Sequence, residues 1–387
     1  MVSFIPGESV PVESLGISSD AAIWMGVAAS EALQAEAAGA GLSLGPSADM
    51  ITTSPGAVCT RAALKAFVHA TRDVSGDVCG KLGGPLVTWS EQPCFGPPAR
   101  LYRLRGGGTP DEQRLANCTQ IEFEVASRPF SFASADAPGG RHLEIVLSDG
   151  VLVSTHHWSG LLWANLLNLG PGIWQALIGS PLNVLWKLPL AWVQKRSLDP
   201  MVLAGAMNRI GKGVRIHPSA VVEGCWLKDG VQVGPGAVVR GCILGEGARV
   251  EDQALANFSV LGSGAVVQRR GWIQYGLLHE GAAVGGAMQM GVLGPHASFK
   301  AGSYLMDQNI DNDVHVSRAG ELMPVPLGLA GVGVGARTLV ASGVWVAPGR
   351  SLGPDLVILP PSGNVLHRVQ SEPKGVYQVD DGRLQSQ

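Results

Sequence analysis

From Ile216 onward, aliphatic residues recur with a beat that is neither helical nor a simple alternation. Ile216, Val233, Val250, Val267 and Val284 stand 17 residues apart. Within a unit the steps run six, five, six, as in Ile216–Val222–Leu227–Val233. Three short strands, each with one inward aliphatic residue, close one triangular coil. Stacked coils bury a core that no single coil can bury. Each corner needs a small or left-handed residue, and Gly230, Gly247, Gly264 and Gly281 supply one corner. That column would fall next on Ser298. The fourth residue after each beat is also small or apolar: Ala220, Ala237 and Ala254 on one side, Trp226, Ile243 and Val260 on another. This predicts an inner column filled twice per side. Cys225 and Cys242 lie one coil apart and read as stacked neighbours rather than a disulfide. The beat slips between residues 284 and 333, then returns as Val334, Val340, Val346, Leu352 and Ile358 at steps of six.

The first 150 residues carry other periods. Residues 19–40 are Ala-rich with apolar positions at helical spacing, predicting a helix. Residues 48–73 read as strand, turn and helix, with Thr60 at the N-cap. A Pro-interrupted loop and a strand follow between Thr88 and Arg103. Strands are expected at Ile121–Val125 and His142–Leu147. Residues 1–150 thus form an α/β or α+β layer. Residues 151–207 form a Trp-rich bridge, and 363–387 a tail. Between 158 and 194 Lys187 is the only charge. Gly170-Pro171-Gly172 and Ser180-Pro181 are expected to break this stretch into short helices, too interrupted to span a bilayer. It either packs one part of the protein on another or lies at a membrane surface, with Lys187, Lys195 and Arg196 toward anionic lipid.

By these residues, positions 208–362 resemble the hexapeptide-repeat, left-handed parallel β-helix family. The resemblance implies a left-handed coil, a homotrimer, and one of several functions that this fold hosts. Acyltransferases of this fold often place a His in the cleft between subunits, where it deprotonates the acceptor. Sugar-nucleotide pyrophosphorylases join such a helix to a nucleotidyltransferase domain, and residues 50–67 are similar to that domain's middle strand. Where the family has a metal-binding Asp, this chain has Thr53-Ser54-Pro55-Gly56. The family's basic, Gly-rich nucleotide loop is also missing; 37–41 (AAGAG) lacks the basic residue, and 105–110 (RGGGTP) is a lone Gly cluster. Phosphoryl transfer needs Mg²⁺ on carboxylates and a phosphate cradle. The fold class expected is therefore a degenerate nucleotidyltransferase-like α/β domain followed by a left-handed β-helix.

Candidate chemistry lies where the repeat turns irregular. His279 and His296 flank that region and are the candidate bases. His217, in IHPSA, reads as structural, and His315 is a further surface candidate. Arg337 and Arg350 are candidate contacts for an anionic sugar nucleotide. Residues 306–315 (MDQNIDNDVH) gather Asp307, Asp311, Asp313 and His315, but the spacing is not that of an EF-hand; a solvated loop or one covering a neighbouring subunit is expected.

Composition narrows the classes. The chain is 46% hydrophobic and 15% charged, with 53 Gly, which suits a globular protein rich in tight turns. A net charge of −3 gives no sign of nucleic-acid binding. The six cysteines show neither CxxC nor zinc spacing, and the N-terminus has no basic segment before an apolar run. These features suggest a cytoplasmic setting with free thiols, with peripheral membrane contact through 158–194 as the variant. Three readings follow: a sugar-nucleotide-related transferase-like protein with nucleotidyl transfer lost or altered, a trimeric acyltransferase using acyl-CoA or acyl carrier protein, and a non-catalytic trimeric scaffold.

Overall fold

In the computed structural model, the described residues are 2–133, 142–178, 189, 192–193, 196, 207–309, 312–361, 377–380 and 383–386. The repeat folds as a parallel β-solenoid with three faces, of eight, eight and seven strands. The first face runs from Arg209–Ile210 to Ser351–Leu352, the second from Arg215–Ile216 to Val357–Ile358, and the third from Val221–Glu223 to Trp345–Val346. Inward residues stack in register: Leu227, Leu244, Leu261 and Leu278 on the first face, Val233, Val250, Val267 and Val284 on the second, and Val239, Ala256 and Ile273 on the third. Burying each Val or Leu contributes about 1.5–3 kcal/mol against the entropy of ordering the coil.

The inner column was expected to be filled twice per side, and on one side that is corrected. Ala237 and Ala254 do face inward. Ile243 and Val260 instead point out of the first face and belong to the core shared with the N-terminal half. The reason is strand geometry: in a two-residue strand such as Ile243–Leu244, neighbours point to opposite sides. The apolar outer column, continued by Leu277 and Val292, is a docking face.

The irregular region also has a physical cause. The corner between the second and third faces shortens at Gly285-Gly286, so Val284 pairs with Phe299 rather than with a residue 17 positions on. After Tyr304–Leu305 the chain leaves the solenoid and rejoins it at Gly333–Val334. The excursion folds as a hairpin, His315–Arg318 against Glu321–Pro324. It closes on the chain's own N-terminal half. Arg318 Nη1 donates to Pro93 O at 3.0 Å, Ala319 N donates to Glu13 Oε1 at 3.0 Å, and Val314 and Val316 enter the shared core. Asp311 lies outside the described residues.

The N-terminal half is a mixed sheet of six strands with few helices. Its order is Thr119–Phe123, Val78–Leu82, Leu101–Arg105, Asp49–Thr53, Ser3–Ile5, Ser43–Leu44, and Leu101–Arg105 alone runs antiparallel to its neighbours. The expected strand–turn–helix over 48–73 is present as Asp49–Thr53, Ala57–Cys59 and the helix Arg61–Ala70. Thr60 occupies the N-cap position but gives its hydroxyl to Asp149 O at 2.6 Å instead of to the helix. The strands expected at 121–125 and 142–147 are Thr119–Phe123 and His142–Ser148. The helix expected over 19–40 is only Ala29–Gly39. Residues 23–28 form a tight hairpin whose turn has positive φ at Met25 and Gly26, a conformation that no helix admits.

The bridge departs most from expectation. Trp158–Ile178 is one helix of 21 residues that runs through Gly170-Pro171-Gly172. Pro171 removes one helical hydrogen bond, and burial of the preceding turns outweighs that loss. Trp158, Leu161, Leu162, Ala164 and Leu169 pack in the core shared by the N-terminal sheet and the solenoid's first face. Asn165 is 1% exposed and fully used: its Oδ1 accepts from Met25 N at 2.9 Å, and its Nδ2 donates to Ile23 O and Leu161 O. The first half of the bridge is thus internal packing, whereas Trp174, Trp192 and Val193 are exposed. Lys187, Lys195 and Ser180-Pro181 lie outside the described residues. Among the described residues no helix is long and apolar enough to cross a membrane.

Candidate functional site

The corner between the first and second faces carries two of the four candidate side chains. Gly230, Gly247, Gly264 and Gly281 hold it at φ between 61° and 71°. Because the next coil is shortened, the position after Gly281 is His296 and not Ser298. His296, Arg337 and Asp355 then take the corner with φ of 57°, 58° and 61°. A left-handed residue other than Gly costs about 1–2 kcal/mol, so three in succession are notable. The His296 ring lies over Gly281, where any Cβ would collide with its Nδ1. Arg337 is held in place by its own N–H to Pro295 O at 2.8 Å. Its Nε and Nη2 each donate to Asp355 at 2.6 Å. The guanidinium keeps the Asp355 carboxyl below the usual range. An exposed imidazole and an exposed guanidinium therefore stand one rung apart, roughly 4.8 Å along the axis.

His279 and Arg350 do not join them. His279 is completely buried, in a position that is Gly in the neighbouring coils (Gly245, Gly262, Gly294). Its Nδ1 lies 2.9 Å from Leu293 O, Nε2 has no partner, and burial pushes the imidazole down to about 4. It cannot take a proton from an outside acceptor. Arg350 is exposed at the opposite edge of the first face, beside the corner at Gly349.

The N-terminal sheet has its switch point between Ser3–Ile5 and Asp49–Thr53, where open α/β sheets bind ligands. Here the crevice is closed: Gly7 N donates to Thr53 Oγ1 at 3.0 Å, and the segment that ends the strand, Thr53-Ser54-Pro55-Gly56, carries no carboxylate of its own. The 105–110 loop is spent on structure. Arg114 donates to Gly107 O at 2.6 Å and to Arg105 O at 2.8 Å, and pairs with Asp77. Asp49 is likewise held, and lowered in pKa, by Arg103. These residues do not fit a Mg²⁺–triphosphate site. Among the described residues no group of three or more His, Cys, Asp or Glu could hold a metal.

Two histidines at the seam went unremarked in the sequence. His156 Nδ1 is 2.9 Å from Ser154 Oγ, and His157 Nδ1 is 2.7 Å from Ser159 Oγ. His157 is fully buried, and burial, with Arg318 adding repulsion, pushes it down to about 4. Cys94, beside Ser159, is pushed up to about 12 by burial. The signal was the His-His pair just before the Trp-rich helix. Ser154 is 2% exposed, so this Ser–His pair is internal glue where the excursion hairpin meets the N-terminal half.

The third face is open. Its strands have the pattern out–in–out, so Leu255, Trp272, Ala287 and Tyr304 form one outward column and Asn257, Gln274 and Gln289 a second. At the adjoining corner Gly224 and Gly241 are followed by Phe258, Tyr275 and Met290, at φ of 45°, 51° and 47°. Phe258 and Tyr275 stack at 5.5 Å with planes 13° apart, and remain 46% and 37% exposed.

No family model matches this sequence and no curated protein matches it. Among solved structures, the acetyltransferase domain of PglB from Neisseria gonorrhoeae FA1090 is similar over 30% of this chain and 54% of that one, at 18% identity and a TM-score of 0.17. The matched region thus spans about half of that domain.

Proposed function

We propose that this chain is an acyltransferase-type β-solenoid protein with His296 as its base. The observation that carries the reading is the strained corner at which an exposed His296 replaces the glycine of the preceding coils, one rung from Arg337. Neutral imidazole takes the proton of an acceptor hydroxyl or amine as that atom attacks a thioester carbonyl. The new C–O or C–N bond forms, the C–S bond breaks, and the thiolate leaves with the proton returned by the imidazolium. Arg337 would face the phosphates of acyl-CoA or of an acyl carrier protein's prosthetic arm. A homotrimer would turn the open corner into a cleft that excludes water. The test is release of free thiol from acetyl-CoA in the presence of a panel of amino and hydroxy acceptors. His296→Ala should reduce kcat by 100-fold or more, while Arg337→Ala should raise KM. Equal turnover in the wild type and H296A would end this reading.

A second reading has one feature in its favour. The N-terminal sheet, with one antiparallel strand inside a parallel set and a solenoid attached, supports kinship with the sugar-nucleotide transferases. The closed crevice at Gly7 and Thr53 argues that nucleotidyl transfer was lost. A rise in melting temperature with UDP- or dTDP-sugars would favour this reading.

A further inference from the structure

We infer that the edge of the third face binds a neutral glycan chain laid along the solenoid axis. This surface is distinct from the His296 corner and does not depend on acyl transfer. Its centre is the aromatic pair Phe258–Tyr275. At this corner the two preceding coils use Gly224 and Gly241, so the fold itself calls for glycine. The Phe258 ring lies over Gly241 and Tyr275 stacks on it, so two bulky residues in left-handed conformations, which cost backbone strain, present their outer ring surfaces to solvent. Beside them runs an amide ladder, Asn257, Gln274 and Gln289, and beyond that Trp272. Asn257 Oδ1 is shielded from solvent and has no hydrogen-bond partner.

The chemistry selects the ligand. Apolar sugar faces stack on aromatic rings, and amides, which both donate and accept, suit hydroxyl groups. The neighbouring charges on this face, Arg240 and Glu223, pair with each other at 3.1 Å, so nothing here calls for an ionic ligand. The rungs repeat every 4.7–4.9 Å or so, an advance comparable to one pyranose unit of an extended glycan. Successive sugars would meet Asn257, Gln274 and then Gln289, whose Oε1 already accepts from the Tyr304 hydroxyl at 3.1 Å.

The test is calorimetric titration of the full chain with cellohexaose, maltohexaose and chitohexaose. Binding of at least one is expected, with an affinity that barely changes between low and high salt. Phe258→Gly and Tyr275→Gly restore the residue that the corner prefers. Each should keep the wild-type melting temperature or exceed it, yet weaken binding tenfold or more, as should Gln274→Ala. The proposal is overturned if the wild type binds none of the three glycans, or if a single-stranded oligonucleotide binds in their place. It is also overturned if both glycine variants melt early with binding intact, since the rings would then be structural. Conversion of an oligomer to monomers by those variants would assign the face to a second copy of the chain.

Discussion

Trp158 donates its indole Nε1–H to Ser351 Oγ at 2.8 Å, across 193 residues of sequence. The same ring occupies the outer side of the first face at Gly333, where an added Cβ would come within 2.6 Å of it. The five rungs of that column from Trp226 to Val292 each carry a large apolar residue. Gly333 is therefore the gap that admits the helix. Gly333→Val should destabilise by about 1–3 kcal/mol through overpacking, with no contribution from backbone strain because its φ is not positive. Thermal denaturation checks this, and an unchanged midpoint would place the tryptophan elsewhere.

Asn165 ties the long helix to the Ile23–Ala28 hairpin with three hydrogen bonds. Asn165→Leu keeps the volume and strands Met25 N–H and Ile23 C=O away from water. Each unsatisfied group costs about 1–3 kcal/mol. A loss of roughly 2 kcal/mol or more in urea unfolding is expected. A loss of a few tenths would mean that water reaches the turn.

The solenoid was legible because its period is enforced at every rung: one inward aliphatic and one left-handed corner recur whatever the surroundings. Its docking face is hidden in the same pattern for a related reason. Ile243 and Val260 look like core residues because they are core, but of a seam with the N-terminal half and the long helix, which local pattern cannot reveal. The helix through Gly170-Pro171-Gly172 shows the same limit, since burial of Leu161, Leu162 and Leu169 overrides the local breakers. In the site, the irregular coil drew attention to His296 and His279 alike. The two-residue shortening at Gly285-Gly286 brings His296 to the corner, whereas His279, 17 residues after Gly262, keeps the buried position of the regular repeat.

His157 and His279 are both buried neutral, with pKa values near 4 against an ordinary 6.5. The unfolded chain takes up these protons near 6.5 and the folded chain only near 4. Their full stability is therefore present above about 6.5 and is lost progressively as pH falls to about 4. Shifts of this size correspond to on the order of 3 kcal/mol for each group at the acid end. His279→Gln cannot titrate and should lose clearly less stability than the wild type between pH 7.5 and pH 4.5, measured by urea midpoints. Identical losses would show that His279 does not set this dependence.

The thiols form a ladder whose role is structural. Asn208 Oδ1 accepts from Cys225 N at 2.8 Å, Cys225 Sγ from Cys242 N at 3.5 Å, Cys242 Sγ from Ser259 N at 3.4 Å, and Ser259 Oγ from Gly276 N at 3.0 Å. Each side chain thus satisfies a backbone N–H of the next coil, at a corner where no backbone carbonyl takes that place. A sulfur is a weak acceptor, so replacing it by hydrogen should cost little more than about 1 kcal/mol in hydrogen bonding, plus the loss of a small buried volume. Cys242→Ser would give the stronger acceptor that Ser259 already provides one rung on, and should be tolerated better than Cys242→Ala. The same geometry governs reactivity. All six cysteines are free and buried, and burial disfavours the thiolate that a disulfide reagent requires. Titration with such a reagent should find essentially no reactive thiol in the native protein and six after denaturation. One or more fast-reacting native thiols would mean that a coil or the seam at Cys94 opens on the timescale of the assay.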